Sequence, residues 1–202
     1  MVKLHVGCGK RYLPGWTHVD VLPFDHIDHQ ATIDNLFMFE EGSVDEIYAC
    51  HVLEHVGRRE VLKVLAEFSR VLRVGGVLRL AVPDFESLVE HYVANKQSLS
   101  HLMGFLVGGQ TDQYDHHCME FDLFFLTELL RCSGFDSVER YDWKAFFPPG
   151  FDDFSASYLP HMDFENGRLM SLNVTATKRT APLSEALPAE IILATASNRA
   201  RA

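Results

Sequence analysis

The N-terminal run KLHVGCGKRYLPGWTHVDV, residues 3–21, constrains the fold of this chain more than any other stretch. Alternating apolar residues predict a short buried strand over 4–6, which leads directly into Gly7-Cys8-Gly9. Glycine in such a turn lets the backbone reverse sharply and approach a ligand closely. A second short strand is predicted over 17–19 and ends at Asp20. This arrangement is typical of nucleoside sites in doubly wound sheets, where the acid accepts hydrogen bonds from the ribose hydroxyls.

The same residues also fit a tight turn between two strands that binds no ligand. The rest of the chain must therefore distinguish between these two interpretations. Alternating strands and helices over residues 3–135 predict a parallel sheet covered on both faces. The further predicted strands are 31–33, 44–50, 77–82, 137–146 and 169–178, and the predicted helices are 58–73, 85–95, 98–107 and 121–132. The last two strands have no convincing helix between them and are expected to pair antiparallel.

The predicted fold class is therefore α/β, a Rossmann-like doubly wound sheet that is mainly parallel with an antiparallel final strand pair. Ligands of such sheets bind at the carboxyl ends of the strands. A length of 202 residues fits one domain. We expect residues 1–179 to form this domain and residues 180–202, which are Ala-rich and weakly patterned, to form a flexible tail.

Charge and hydropathy narrow the expected partners. The chain has 18 basic and 28 acidic residues and a formal net charge of −10, which argues against a nucleic-acid partner. No apolar run approaches the roughly 20 residues of a membrane span, and the N-terminus lacks the layout of a signal peptide. We therefore expect no membrane partner and a cytoplasmic location.

Cysteine and histidine patterns do not predict a metal. The four cysteines show no CxxC spacing, and the eleven histidines include no HExxH motif. Free thiols and no bound metal are the expectation. The pair Glu54-His55 is interpreted as a cap or support for the start of the following helix, a structural role in preference to a functional one.

Several segments in a fixed order carry a resemblance to a known family. They are LHVGCG, THVDV, SVDEIYACHVLEHV, EFSRVLRVGGVLRLAVPD and a late SGF before two strands. Over about residues 3–178 the chain resembles the class I S-adenosylmethionine-dependent methyltransferases, in particular small members of the ubiquinone-biosynthesis-like methyltransferase domain group. The resemblance implies S-adenosylmethionine as the cofactor and a small-molecule or glycan-precursor methyl acceptor. A homodimer is a separate expectation.

The resemblance also implies a set of site residues. In that family the glycine turn borders the methionine part of the cofactor, and the acid at the end of the second strand binds the ribose. Residues at the end of the fourth strand line the floor of the site near the sulfonium. Asp34 and the backbone of Leu36 are expected near the adenine. The cofactor-binding residues implied are Val6, Gly7, Cys8, Gly9, Asp20, Asp34, Leu36, Cys50 and His51.

Methyl transfer mainly requires that the acceptor is positioned and water excluded. An oxygen or nitrogen acceptor can also need a base, and histidine titrates near working pH. His116 and His117 lie in a loop on the expected acceptor side and are the catalytic candidates. His116 is preferred, because sequences that resemble this segment carry Asp-His there.

The chain departs from the family pattern around the first strand. His5 stands where an acid is usual, the third glycine is absent, and the first helix must be shortened to about a turn. Lys10 or Arg11 is a candidate cation for the methionine carboxylate. These departures motivate an alternative, a cofactor-binding or scaffold module without turnover. A nicotinamide-dependent oxidoreductase would need a fuller GxGxxG and a helix after it.

Overall fold

The computed structural model describes residues 1–95 and 98–179. Its nine strands are β1 (Lys3–Val6), β2 (Thr17–Asp20), β3 (His29–Gln30), β4 (Val44–Cys50), β5 (Leu72–Pro83), β6 (Phe135–Arg140), β7 (Tyr158–Leu159), β8 (Arg168–Leu169) and β9 (Ser171–Lys178). Seven of them form one sheet in the order β3-β2-β1-β4-β5-β9-β6, and β7 pairs with β8 in a separate ribbon.

Strand direction confirms the predicted fold class. The pairs β1–β2, β1–β4, β2–β3 and β4–β5 are parallel. Strand β9 lies between β5 and β6 and is antiparallel to both. The parallel part brings the carboxyl ends of β1, β2 and β4 to one edge, and ligands of open α/β sheets bind at that edge.

Five helices are described: α1 (Val61–Val71), α2 (Phe85–Asn95), α3 (Met103–Val107), α4 (Leu123–Cys132) and α5 (Trp143–Phe146). Short 3₁₀ turns occur at Leu53–His55, Leu99–Leu102 and Phe154–Ala156. Helix α1 buries an apolar stripe at helical spacing, which includes Val64, Leu65 and Phe68. Helix α4 begins where the Asp122 carboxylate accepts a hydrogen bond from the Phe125 amide at 2.7 Å.

The core forms between the sheet and these helices. Leu4 and Val6 of β1, Ile47 of β4 and Leu80 of β5 are at most 1% exposed, and they pack in one cluster with the apolar stripes of α1 and α4. Central strands buried on both faces are what a parallel sheet with helices on both sides requires. The carboxyl ends of β1 and β4 therefore lie next to a well-packed core.

Several predicted element boundaries were wrong. Strand β3 occupies His29–Gln30 and not 31–33. Helix α1 ends at Val71, before the Gly75-Gly76 pair, because Leu72 already pairs with Val44 in the sheet. Tertiary strand pairing overrides the helical pattern at this point.

The predicted strand 137–146 was also too long. Strand β6 ends at Arg140, and the chain then forms the short helix α5. The Asp142 carboxylate caps that helix by accepting a hydrogen bond from the Lys144 amide at 2.9 Å. The expected shortening between β1 and β2 is observed, since residues 7–16 contain turns and no helix.

The predicted tail, 180–202, lies outside the described residues. Among the described helices, none is long and apolar enough to span a membrane.

Candidate functional site

A cavity of about 390 Å³ opens at the carboxyl ends of β1, β2 and β4. Its volume falls in the range of roughly 300–1,000 Å³ that is usual for small-ligand sites. The residues that line it are Gly7, Gly9, Asp20, Val21, Leu22, Phe24, Ala31, Thr32, Ile33, His51, Val52, His55, Val56, Asp112, Gln113, Tyr114, Asp115, His116 and Cys118.

The glycine turn borders the cavity and packs tightly beneath it. Gly7 has a φ of +63°, and a Cβ built on it would lie 2.4 Å from Cγ2 of Val52. Its amide donates to the Val19 carbonyl at 2.7 Å, which ties the turn to β2. Only glycine fits both this conformation and this contact. The turn therefore presents bare backbone to the cavity.

Asp20 is held in a defined orientation at the tip of β2. Its Oδ2 accepts a hydrogen bond from the Gly9 amide at 2.7 Å, and its Oδ1 accepts one from the Leu22 amide at 2.8 Å. The residue is only 6% exposed, yet it lines the cavity. A carboxylate oxygen has two acceptor positions, so each oxygen retains one for the hydroxyl of a ligand.

His51 has a strained backbone at the end of β4. Its φ is +50°, in the left-handed region that residues other than glycine rarely adopt. The ring lies between two polar side chains, with Nε2 3.0 Å from Oγ of Ser171 and Nδ1 3.2 Å from Oε1 of Glu54. Strain of this kind concentrates at functional sites.

The loop after α3 forms the opposite wall. Its residues 112–116 line the cavity, and Asp115 holds it in shape. The Asp115 carboxylate accepts hydrogen bonds from the Gly109 amide at 3.1 Å and from the amide and hydroxyl of Thr111 at 3.2 Å and 2.8 Å. Burial alone would raise the pKa of Asp115, but these hydrogen bonds keep it below its usual value.

The two catalytic candidates face different surroundings. His116 is exposed and lines the cavity. His117 is outside the cavity lining, and its Nδ1 lies 2.7 Å from the Phe105 carbonyl oxygen. Burial lowers the pKa of His117, so its ring is neutral at pH 7. Of the two, His116 is in a position to contact a ligand.

Buried acids lie behind this wall. Glu54 is fully buried, and its carbonyl accepts hydrogen bonds from the amides of Cys118 and Met119. Burial, with the nearby charge of Glu54, raises the pKa of Glu120 to about 7. Neither feature was predicted from the sequence, where Glu54 resembles an ordinary acid before a helix.

The structure brings five of the predicted site residues to the cavity: Gly7, Gly9, Asp20, His51 and His116. Cys8 is buried within the turn, where burial, with the charge of Asp20, raises the pKa of its thiol to about 12. Val6 is fully buried in the core. Desolvation and the charge of Asp153 raise the pKa of the Cys50 thiol well above its usual value.

Asp34 and Leu36 are fastened to α1 and do not line the cavity. Lys63 donates to the Asp34 carboxylate at 2.7 Å. The Leu36 amide donates to Glu67 at 2.7 Å, and its carbonyl accepts from Arg70 at 3.1 Å. Their polar groups are therefore engaged in packing this segment, and the cavity is lined instead by the preceding residues 31–33.

Other lining residues were not predicted at all. Phe24, Val52 and Val56 supply apolar surface, but apolar residues in loops do not reveal their direction in a sequence. Tyr114 and its neighbours belong to the histidine-bearing loop that the sequence had placed on the acceptor side. That placement is the signal that could have identified them.

Comparisons with known proteins agree with this fold. Residues 17–80 match the family model of a methyltransferase domain. No protein of curated function was found to match the chain in sequence. A Thermotoga maritima protein described as a SAM-dependent methyltransferase, possible histamine N-methyltransferase, aligns at 17% identity and a TM-score of 0.54, over 88% of this chain and 82% of its own.

Two further solved structures are similar. The 1,6-didemethyltoxoflavin-N1-methyltransferase of Burkholderia thailandensis, solved with bound 1,6-didemethyltoxoflavin and S-adenosylhomocysteine, is 17% identical over 88% of this chain and 71% of its own, with a TM-score of 0.52. A SAM-dependent methyltransferase from Archaeoglobus fulgidus is 15% identical over 87% and 85% of the two chains, with a TM-score of 0.50. At such identities the likeness concerns the fold alone.

Proposed function

We infer that this chain, which has the fold of the class I S-adenosylmethionine-dependent methyltransferases and matches a methyltransferase domain over residues 17–80, is itself such an enzyme. We propose that it transfers a methyl group to a small-molecule or glycan-precursor acceptor. One observation carries the proposal: a bare glycine turn and an oriented, cavity-facing Asp20 carboxylate lie together at the carboxyl ends of β1 and β2. This is the pairing that a nucleoside with a ribose needs.

The cavity residues fit S-adenosylmethionine in most respects. Asp20 has acceptor positions left for ribose hydroxyls, and the apolar side chains of Phe24, Ile33 and Val52 suit a flat purine. The Val52 side chain packs against Gly7 on the side where a Cβ would lie, so a ligand can approach this glycine only from the cavity. One part fits less well, because no Lys or Arg is among the described lining residues to pair with a methionine carboxylate.

The bound cofactor would supply a methyl group on a sulfonium, and the protein residues would position the acceptor. The His51 ring lies 3.0 Å from Oγ of Ser171 at the cavity floor, where a fixed ring can orient a neighbouring group. His116 is exposed at the cavity wall and can accept a proton from an acceptor hydroxyl or amine. The loop fastened by Asp115 would limit access of water.

Isothermal titration calorimetry with S-adenosylhomocysteine tests the binding step. We expect binding by the natural chain and a loss of about 10- to 100-fold in affinity for D20N, because hydrogen bonds to a charged group contribute about 1.5–3 kcal/mol. D25N, which changes an exposed acid a few residues along the chain, is the control. Absence of binding at millimolar ligand, or equal affinities for D20N and D25N, would contradict the proposal.

A scaffold module that binds the cofactor without turnover is the second candidate. The compressed turn between β1 and β2 and the lack of a cation in the described cavity lining favour it. Incubation with radiolabelled S-adenosylmethionine and pooled small-molecule extracts separates the two. Label transfer that is lost in H116A supports the enzyme, whereas tight binding with no transfer to any acceptor supports the scaffold.

Two coarser expectations remain proposals. We propose that the protein works in the cytoplasm without a nucleic-acid or membrane partner, and its net charge of −10 supports this for nucleic acid. We also propose a homodimer. Light scattering during size-exclusion chromatography would measure its mass against the 22.9 kDa of one chain.

A further inference from the structure

Glu54, His55 and His117 bring their ligating atoms together beside the cavity, which His55 also lines. One carboxylate oxygen and one ring nitrogen from each histidine lie within 4.8 Å of one another. The two imidazole rings meet edge to face with centroids 4.9 Å apart, and Nε2 of His117 is 4.0 Å from Oε1 of Glu54. Two imidazoles and a carboxylate are a frequent ligand set for divalent transition metals.

Each histidine has a backbone carbonyl oxygen next to its Nδ1. Nδ1 of His117 lies 2.7 Å from the Phe105 carbonyl oxygen, and Nδ1 of His55 lies 3.1 Å from the His116 carbonyl oxygen. A carbonyl can only accept, so each Nδ1 carries the proton and each Nε2 keeps its lone pair. A backbone carbonyl that fixes the tautomer in this way is the common support of a metal-bound histidine.

The carboxylate supplies an independent observation. Glu54 is 0% exposed, and neither Oε1 nor Oε2 has a hydrogen-bond partner among the described residues. His51 Nδ1 lies 3.2 Å from Oε1 but without hydrogen-bond geometry. A buried carboxylate that accepts no hydrogen bond is energetically costly, and in proteins such groups are commonly paired with an opposite charge or bound to a metal.

We propose that Glu54, His55 and His117 bind a divalent transition cation of the Zn²⁺ type. Zinc–nitrogen distances of about 2.0–2.1 Å require neighbouring ligand atoms about 3.4 Å apart in a tetrahedron. The three side chains therefore close by about an ångström when the ion binds. The site departs from the sequence-based expectation of no metal, because its third ligand lies 62 residues beyond His55 and no local spacing reveals it.

Titration of the untagged, full-length, EDTA-treated chain with ZnCl₂ in a calorimeter tests the site, with MgCl₂ for comparison. We expect one Zn²⁺ per chain with at least micromolar affinity, and no comparable binding of Mg²⁺, since imidazole ligands favour zinc. E54Q and H55A should each weaken zinc binding by at least about 10-fold. H101A, which removes an exposed histidine elsewhere, should leave it unchanged.

Thermal unfolding in EDTA shows whether the E54Q variant still folds. Because neither Glu54 oxygen accepts a hydrogen bond from the described residues, metal-free E54Q should unfold at the same temperature as the natural chain or higher, while losing the increase that zinc gives. Absence of zinc binding, or equal zinc affinity in E54Q and the natural chain, would overturn the inference. Parallel titration with S-adenosylhomocysteine keeps the proposals distinct: binding of that ligand without zinc refutes this site alone, and zinc binding without it refutes the proposed function alone.

Discussion

At the scale of single residues, Gly7 and Asp20 divide the work of the cavity. Gly7 provides backbone where any side chain would collide with Val52, and Asp20 provides a charge whose direction two amides fix. The glycine acts through sterics and the acid through hydrogen bonding. Substitutions at the two positions should therefore affect different measurements, stability at Gly7 and ligand affinity at Asp20.

Replacement of Gly7 by alanine should destabilise the protein by about 2–5 kcal/mol. Left-handed backbone costs an alanine about 1–2 kcal/mol, and the contact at 2.4 Å with Val52 adds an overpacking cost of about 1–3 kcal/mol. Gly15 has a φ of +81° but no atom within 4 Å of a built Cβ, so G15A should show the backbone cost alone. Urea unfolding measures both variants, and equal losses would show that Val52 moves aside freely.

At the scale of elements, β1 carries an unusual core histidine. His5 is 2% exposed, packs on Tyr48 with ring centroids 5.1 Å apart, and has a buried Nδ1 without a described partner. Burial, with the nearby imidazoles of His18 and His26, lowers the pKa of His5 from 6.5 to about 3. The folded chain thus keeps the ring neutral where the unfolded chain protonates it.

This lowered pKa predicts acid sensitivity. Between pH 6.5 and pH 3 the unfolded state binds the extra proton, so stability falls as pH falls through this window. From pH 7 to pH 5 the loss due to His5 should be about 2 kcal/mol. H5F keeps an aromatic ring and removes the titration. Urea unfolding at both pH values should show a smaller loss of stability for H5F than for the natural chain. Equal losses of stability in the two chains would contradict the titration described for His5.

The loop fastened by Asp115 should control ligand affinity. D115N weakens the hydrogen bonds from Gly109 and Thr111, which loosens the wall formed by residues 112–116. We expect calorimetry to show an S-adenosylhomocysteine affinity about 3- to 10-fold lower. D163N alters a similar turn acid, which accepts from the Asn166 amide, outside the cavity lining, and should leave affinity unchanged. An effect of less than twofold in D115N would mean that the wall does not need this carboxylate.

Most elements were predictable from the sequence, but several of their ends were not. The bounds of β4 and the start of α2 at Phe85 were predicted as observed, because β4 is a run of mostly buried residues after a turn and Pro83-Asp84 precede the helix. The end of α1 was missed because Leu72 continues its apolar stripe yet pairs with Val44 in the sheet. Strand pairing of this kind depends on residues distant in sequence.

The site was predictable where its chemistry is local. The glycine turn and Asp20 are close in sequence, and both line the cavity. The positions of Asp34 and Leu36 depend on Lys63, Glu67 and Arg70 of α1, which no pattern in their own segment reveals. The cluster of Glu54, His55 and His117 was not predicted for the same reason, because Glu54 and His117 are distant in sequence.

At the scale of the whole molecule, the order of strands places β9 in the interior of the sheet. It lies between β5 and β6 and pairs with both, with seven paired positions on β5. Leu172, Val174 and Ala176 of this strand are at most 1% exposed and belong to the core cluster. The last strand of the sheet in sequence is therefore an interior strand in space, and it joins β6 to the parallel part of the sheet.

Two truncations test the domain boundary that we propose at residue 179. Among the described residues, all that line the cavity precede residue 119, and the core cluster ends at Ala176. A chain of residues 1–179 should therefore unfold within about 2 °C of the full chain, a change in stability of under roughly 1 kcal/mol, and bind S-adenosylhomocysteine with the same affinity. A chain of residues 1–170 lacks β9 and should fail to fold. The calorimetric scan of this control should therefore show no cooperative unfolding transition. Weaker binding or a markedly lower unfolding temperature for the 1–179 chain would place residues 180–202 within the domain.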